Sequence, residues 1–201
     1  PPQTSILAAQ FLPSSFAPAR IALNTANDVL GRPFTSGINM NLREDKHWSY
    51  GARSNLAETR GQRPWLLSAP VQTDKTVESI QEIRRELADF LARRTITAEE
   101  FAKVRNRDVR ALSGQYETNA AVSGAIGDIV RFGRPDDYVR TLRARLQAQT
   151  DAGVRQAAAQ AFQPDSLTWV IVGDLSKIEA PIRELGLGSV QVLDADGNVL
   201  R

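Results

Sequence analysis

Cysteine is absent from the 201 residues of this chain. That excludes disulfide staples, thiolate nucleophiles and cysteine metal sites, and it suits an oxidising compartment. Histidine is almost absent too: His47 is the only one. A catalytic zinc site commonly takes at least two histidines and a carboxylate. A Ser-His-Asp site needs a histidine with room beside it. His47, flanked by Asp45, Lys46 and Trp48, reads as part of a turn. Long apolar runs are also missing, and none approaches the roughly 20 residues that a membrane helix requires. Aromatic residues do not interleave the basic ones, as a base-stacking platform would need.

What is present describes a soluble globular chain, 42% hydrophobic and 24% charged with a net charge of +2. Its arginines, including Arg84-Arg85, Arg93-Arg94, Arg105, Arg107 and Arg110, lie among acidic residues and read as solvated helix faces. No nucleic-acid or membrane partner is expected. A domain of this length buries roughly 70% of its unfolded surface and folds without staples. The chain starts at a Pro1-Pro2 pair with no initiator methionine and no leader, so it reads as a single domain, residues 1–201, cut from a longer protein.

Hydrophobic period and breaker residues order the elements. Thr4–Leu12 reads as a strand stopped by Pro13. Ala17–Leu30 reads as a helix stopped by Gly31-Arg32-Pro33. Thr35 or Ser36 caps a short second helix containing Ile38, Met40 and Leu42. Trp48–Glu58 and Trp65–Val71 read as a hairpin-like strand pair about a turn at Gly61. Val77, Ile80, Ile83, Leu87 and Phe90 recur at helical steps. Thr97 and Glu100 form a capping box that opens the next helix. Thr118 caps another, reaching about Phe132. Two more follow over Asp136–Gln149 and Asp151–Phe162. Leu167–Val172 is the clearest strand. A helix over Ser176–Leu185 and a last strand over Val190–Leu193 finish the chain. Strands gather at the two ends with helices between. This predicts an α+β fold: a mixed, mostly antiparallel sheet with several helices packed on one face.

Few motifs carry chemistry. Gly31–Gly37 follows a helix and lacks a Gly-Lys-Ser/Thr ending, so it makes a poor phosphate loop. Asp194-Ala195-Asp196-Gly197 reads as a turn, because the chain ends before a calcium loop could be completed. Arg43 and Tyr50, seven residues apart, are the residues to weigh. A guanidinium and a phenol placed together could hold and polarise a peptide carbonyl. Equally, Arg43 could pair with Glu44 or Asp45 on the surface while Tyr50 packs its ring and leaves its hydroxyl in water.

A resemblance bears on that choice. The run Leu30-Gly31, Phe34, Ser36, Asn39, Leu42-Arg43-Glu44 and Tyr50 resembles the non-catalytic half of the pitrilysin/insulinase family of zinc peptidases, similar to subunits of mitochondrial processing peptidase. That half typically reads Leu-Gly-Gly-x-Phe-x-Ser-Arg-Leu-Asn, then Leu-Arg-Glu, then a tyrosine seven residues after the arginine. Thr97 to Glu100, Thr118-Asn119 and Val172-Gly173-Asp174 fit the later pattern, and Gln3 sits where the family's first strand begins. Arg32 replaces the second glycine, and Gly37 replaces the arginine after Ser36. The family's His-x-x-Glu-His metal motif is missing.

The resemblance implies a zinc-free C-terminal domain with a processing-peptidase-like fold. Such a domain pairs with a homologous zinc-binding domain, in the same polypeptide or as a separate subunit. Zinc would lie in that partner and not in this chain. The pair would close a chamber on a peptide substrate. Arg43 and Tyr50 would bind the substrate backbone and polarise its carbonyl. Bacterial relatives suggest a periplasmic location. The competing expectations are a structural scaffold or interaction subunit without a peptidase role, and a monomeric small-molecule-binding domain with a closed pocket.

Overall fold

The computed structural model describes residues 3–92 and 96–201; the Arg93-Arg94 pair lies outside them. Four strands form one sheet in the order β2-β3-β1-β4. They are β1 (Gln3–Leu12), β2 (Arg53–Leu56), β3 (Arg63–Gln72) and β4 (Thr168–Val172). Every pairing among the described residues is antiparallel. β1 and β3 pair along their full lengths, from Gln3 opposite Gln72 to Leu12 opposite Arg63. Alternation along β3 sends Arg63, Trp65, Leu67, Ala69 and Val71 inward, all at 0% exposure. The expected α+β fold with an antiparallel sheet is therefore present.

Helices cover one face of that sheet. α1 (Arg20–Leu30) buries Leu23 and Ala26; α3 (Thr76–Ala92) buries Ile80, Ile83 and Leu87; α7 (Asp151–Ala161) buries Val154 and Ala158. These are the helical-period apolar positions, and the core forms where their stripes meet the sheet. The Trp65 ring stands edge-on to Phe162, with centroids 5.4 Å apart. One buried amide ties three elements together. Asn27 Oδ1 on α1 accepts from Ser54 Oγ on β2 at 2.6 Å and from Trp65 Nε1 on β3 at 2.8 Å. Gly31 completes that join, because a Cβ there would lie 2.4 Å from Ser54 Oγ.

Of four further helices, two add Phe101, Val104, Ile178 and Ile182 to this core and two lie outside it. The Thr97–Glu100 capping box opens α4 (Ala98–Ala111), and the Thr118 hydroxyl caps α5 (Asn119–Arg131). α6 is Tyr138–Gln147 and α8 is Leu175–Glu184. No helix of the described residues is long and apolar enough to cross a membrane.

Three local expectations are corrected. The strand expected over Trp48–Glu58 is confined to Arg53–Leu56, preceded by a single bridge from Ser49 to Val71. Residues 46–52 instead bond to a helix on one side and to β3 on the other, so their amides cannot join a regular ladder. The strand expected over Val190–Leu193 is reduced to a bridge between Leu193 and Val199. Between them Asp194 Oδ1 accepts from the Asp196 and Asn198 amides, at 2.9 and 2.8 Å, and closes a turn. At the second helix, Ser36 occupies the N-cap position without a side-chain cap bond, and the Thr35 hydroxyl instead accepts from Lys103 Nζ at 2.9 Å.

Candidate functional site

The segment carrying Arg43 begins as a short α-turn, α2 (Gly37–Asn39), and widens without a break into a π-helical turn over Met40–Asp45. The Lys46 amide reaches back five residues to the Asn41 carbonyl at 2.9 Å. Such single π turns often mark functional positions, because the extra residue redirects the side chains that follow. Ile38 and Leu42 anchor the inner side at 0% and 1% exposure. Asn41 Nδ2 fixes the turn to α3 through Glu82 at 2.8 Å and Glu86 at 3.0 Å.

Arg43 leaves this turn toward solvent, with its side chain 40% exposed. Its guanidinium lies over the Phe34 ring at 4.6 Å, and its Nε meets Glu44 Oε1 at 3.2 Å. His47 follows in a left-handed conformation, φ 58°, with Nδ1 3.0 Å from the Arg43 carbonyl. It is a turn residue, as the sequence predicts. Among the described residues no three histidine, aspartate or glutamate side chains converge as metal ligands would. With one exposed histidine as the best donor, the residues of this chain do not fit a zinc ion.

Tyr50 follows the turn and is 83% exposed. Its backbone is held on both sides. Ser49 Oγ donates to the Pro70 carbonyl at 2.6 Å and accepts from the Gly51 amide at 3.0 Å. The Ala52 amide donates to Asn39 Oδ1 at 2.9 Å. The Trp48 amide reaches the Leu42 carbonyl at 3.0 Å, and the Gln72 amide reaches the Trp48 carbonyl at 2.9 Å. The ring is therefore free while its support is fixed. No hydrogen bond, ion pair or ring contact joins Arg43 to Tyr50 among the described residues.

Asn39 is the supporting residue whose role the sequence did not declare. While its Oδ1 holds Ala52, its Nδ2 donates to the Phe34 carbonyl at 2.6 Å. Buried at 2% exposure, it joins the platform beneath Arg43 to the segment that presents Tyr50. An amide set between apolar Ile38 and Met40 was the available signal.

A second polar feature lies near α1 and α6. Arg63 enters the core from β3 and Arg20 from α1, and both reach Glu58, at 3.0 and 3.2 Å. Burial pushes the Glu58 carboxyl up, but a bond from Ser15 and the Arg20 and Arg63 guanidiniums outweigh it and hold the group below its ordinary value. The opposite balance holds at Asp28, where burial outweighs Arg107 and Arg32 and raises the carboxyl.

Comparison with known structures gives the fold a context. It is similar to the peptidase M16 inactive domain from Pseudomonas fluorescens, with a TM-score of 0.77 and 20% identity, covering 84% of this chain and 40% of that one. It is similar to a protease from Helicobacter pylori, with a TM-score of 0.77 and 17% identity, covering 87% of this chain and 42% of that one. The periplasmic protease PqqL from Escherichia coli matches with a TM-score of 0.73 and 18% identity, over 86% of this chain and 19% of that one. At these identities the likeness shows the fold alone, and the chain spans well under half the length of each of these three. No curated protein matches the sequence. The sequence itself is decisive: residues 1–107, the stretch with β1 to β3, Arg43 and Tyr50, match the model of the peptidase M16 inactive domain, and the chain belongs to that family.

Proposed function

We propose that this chain is the zinc-free half of a two-part metalloendopeptidase. The other half is a homologous domain, in the same polypeptide or in a separate subunit, and it supplies the zinc and its bound water. This chain closes the substrate chamber and extends Arg43 and Tyr50 to the peptide backbone beside the scissile bond. The observation that carries this reading is the presentation of Tyr50: a ring 83% exposed on a backbone bonded at Ser49, Gly51 and Ala52. A fixed base under an unused phenol suits a donor that waits for a ligand.

Arg43 fits the same task on energetic grounds. Its pairing with Glu44 is half-exposed, and such pairs contribute about 0–1 kcal/mol. A donor aimed at the charge developing on a carbonyl oxygen in a closed site stabilises it by about 3–4 kcal/mol. Only the Nε of Arg43 meets Glu44, so its Nη donors can reach a substrate carbonyl without that pair being broken. The Phe34 face keeps the guanidinium extended, and its rigid fork retains free donors. The PqqL neighbour is described as periplasmic, which supports a periplasmic setting, as does a chain without cysteine.

The test is a complex reconstituted with the zinc-bearing partner. Tyr50→Phe and Arg43→Ala each lower kcat/KM for peptide cleavage by about tenfold or more, a loss of at least ~1.4 kcal/mol. Zinc content and association stay unchanged. Full turnover in both variants would remove the site from consideration. One observation favours a scaffold subunit instead: Arg43 already has Glu44 and Phe34 as partners. On that reading the Arg43 substitution weakens thermal stability and leaves cleavage intact.

A further inference from the structure

A cavity of about 850 Å³ opens between α1, α4, α5 and α6, lined on one side by Arg20, Glu58, Arg134 and Tyr138. Glu58 is the hub of that wall. Its Oε1 accepts from Arg63 Nη2 at 3.0 Å and from Arg20 Nη1 and Asn24 Nδ2, each at 3.2 Å, while Arg134 Nη2 lies 3.4 Å from Oε2. Three guanidiniums thus share one carboxylate. None is freely solvated: the Arg63 side chain is 0% exposed, and those of Arg20 and Arg134 are each 13% exposed. The Tyr138 hydroxyl accepts from Arg20, and its ring lies under Arg134 at 4.6 Å.

Two features mark this wall as incomplete. Arg134 Nε is buried and has no hydrogen-bond partner, and behind the wall Arg63 Nη1 has none either. The charge is also unbalanced. Burial and the neighbouring Arg20 guanidinium both lower the Arg134 value, and only Glu58, Asp128 and Tyr116 act against them. The facing wall differs. There Asp28 meets Arg32 at 3.4 Å and also binds Arg107, which in turn meets Asp108 at 2.7 Å, so two carboxylates balance two guanidiniums. On the Glu58 side three guanidiniums, with Arg63 standing behind the lining, face two carboxylates, Glu58 and Asp128, so the surplus of one positive charge lies on one side of an open cavity.

We propose that this cavity binds a small oxyanion, a carboxylate or phosphate group seated against Arg20 and Arg134. Guanidinium forks match the spacing of carboxylate and phosphate oxygens and bond them more strongly than they bond neutral acceptors. The anion offsets the repulsion among the three arginines, which a neutral ligand would leave in place. The volume lies within the ~300–1,000 Å³ range of small-molecule sites, so the occupant is a small molecule and not a folded partner. This proposal is independent of Arg43 and Tyr50.

Titration calorimetry of the whole chain tests it, with citrate for carboxylate, inorganic phosphate for phosphate, and sodium chloride holding ionic strength constant. Saturable binding of either anion is expected, and the anion that binds names the group. Arg134→Gln weakens binding by about tenfold or more, while Arg32→Gln on the balanced wall leaves it unchanged. If Arg134→Gln fails to fold, Arg134→Lys keeps the charge, loses the fork and still weakens binding. The proposal is overturned if neither anion binds saturably, or if a folded Arg134 variant binds as tightly as the parent.

Discussion

The two faces of the sheet present a sharp contrast. On the inner face Ile6, Ala8, Trp65, Leu67, Ala69 and Val71 are all at 0% exposure beneath the helices. On the outer face Leu7, Phe11, Leu66, Val170 and Val172 are 38–66% exposed. The outer residues are also neighbours: Leu7 stands opposite Val170, Ala9 opposite Leu66, and Phe11 opposite Pro64. An antiparallel sheet covered on one side normally alternates apolar-in with polar-out. Here an apolar patch remains on the uncovered face, beside polar Ser5, Ser68 and Thr168. The inner face is what folds this chain, whereas the outer face contributes almost nothing to its folding.

Substitutions on the two faces should separate accordingly. Trp65→Ala removes the largest fully buried side chain and should cost about 3–5 kcal/mol in urea unfolding, enough to threaten the fold. Asn27→Ala, just above that face, strands the buried Trp65 Nε1 and Ser54 hydroxyl and should cost about 1–3 kcal/mol for each. A third effect lies at the covered side's margin and depends on pH. Because the folded Glu58 carboxyl sits below its ordinary value, its contribution is present above the unfolded carboxyl's value and is lost as pH falls through the folded one. Melting curves in acid should therefore lose stability that Glu58→Gln no longer shows losing. The smallest effect is expected on the bare face. Phe11→Ser should change unfolding by no more than about 0.5 kcal/mol, read in the same urea titration. If Phe11→Ser instead destabilised the chain as Trp65→Ala does, the two faces would not differ in the way described.

Most of the fold was legible because it rests on local signals. The Thr97–Glu100 box, the apolar period from Val77 to Phe90 and the Leu167–Val172 run each declare an element within one stretch of chain. For the candidate site the sequence offers residues but not geometry. Arg43 and Tyr50 are proposed from it, yet the π turn that carries one and the pinned loop that carries the other depend on distant partners. Asn41 bonds to Glu82 and Glu86, Ser49 bonds to Pro70, and no local pattern encodes those bonds. The Trp48–Glu58 stretch looked like a strand because its composition allows one, but the bonds made by Leu42, Asn39 and Gln72 displaced most of it. Arg63 was illegible for a related reason. A cation in a strand reads as surface, and Glu58, Asn24 and the Ala57 and Leu56 carbonyls, brought by other segments, make its full burial tolerable.

The two bonds of Asn39 have a mechanical consequence. Phe34 and Ala52 are clasped by opposite ends of one short, rigid amide, so the seat of Arg43 and the approach to Tyr50 behave as a single body. Any displacement of the chain at Ala52 would bear on the loop at Phe34 through Asn39, with no contact between the two side chains required. Lengthening that clasp by one methylene, as in Asn39→Gln, would shift both supports together and leave each residue's own chemistry intact.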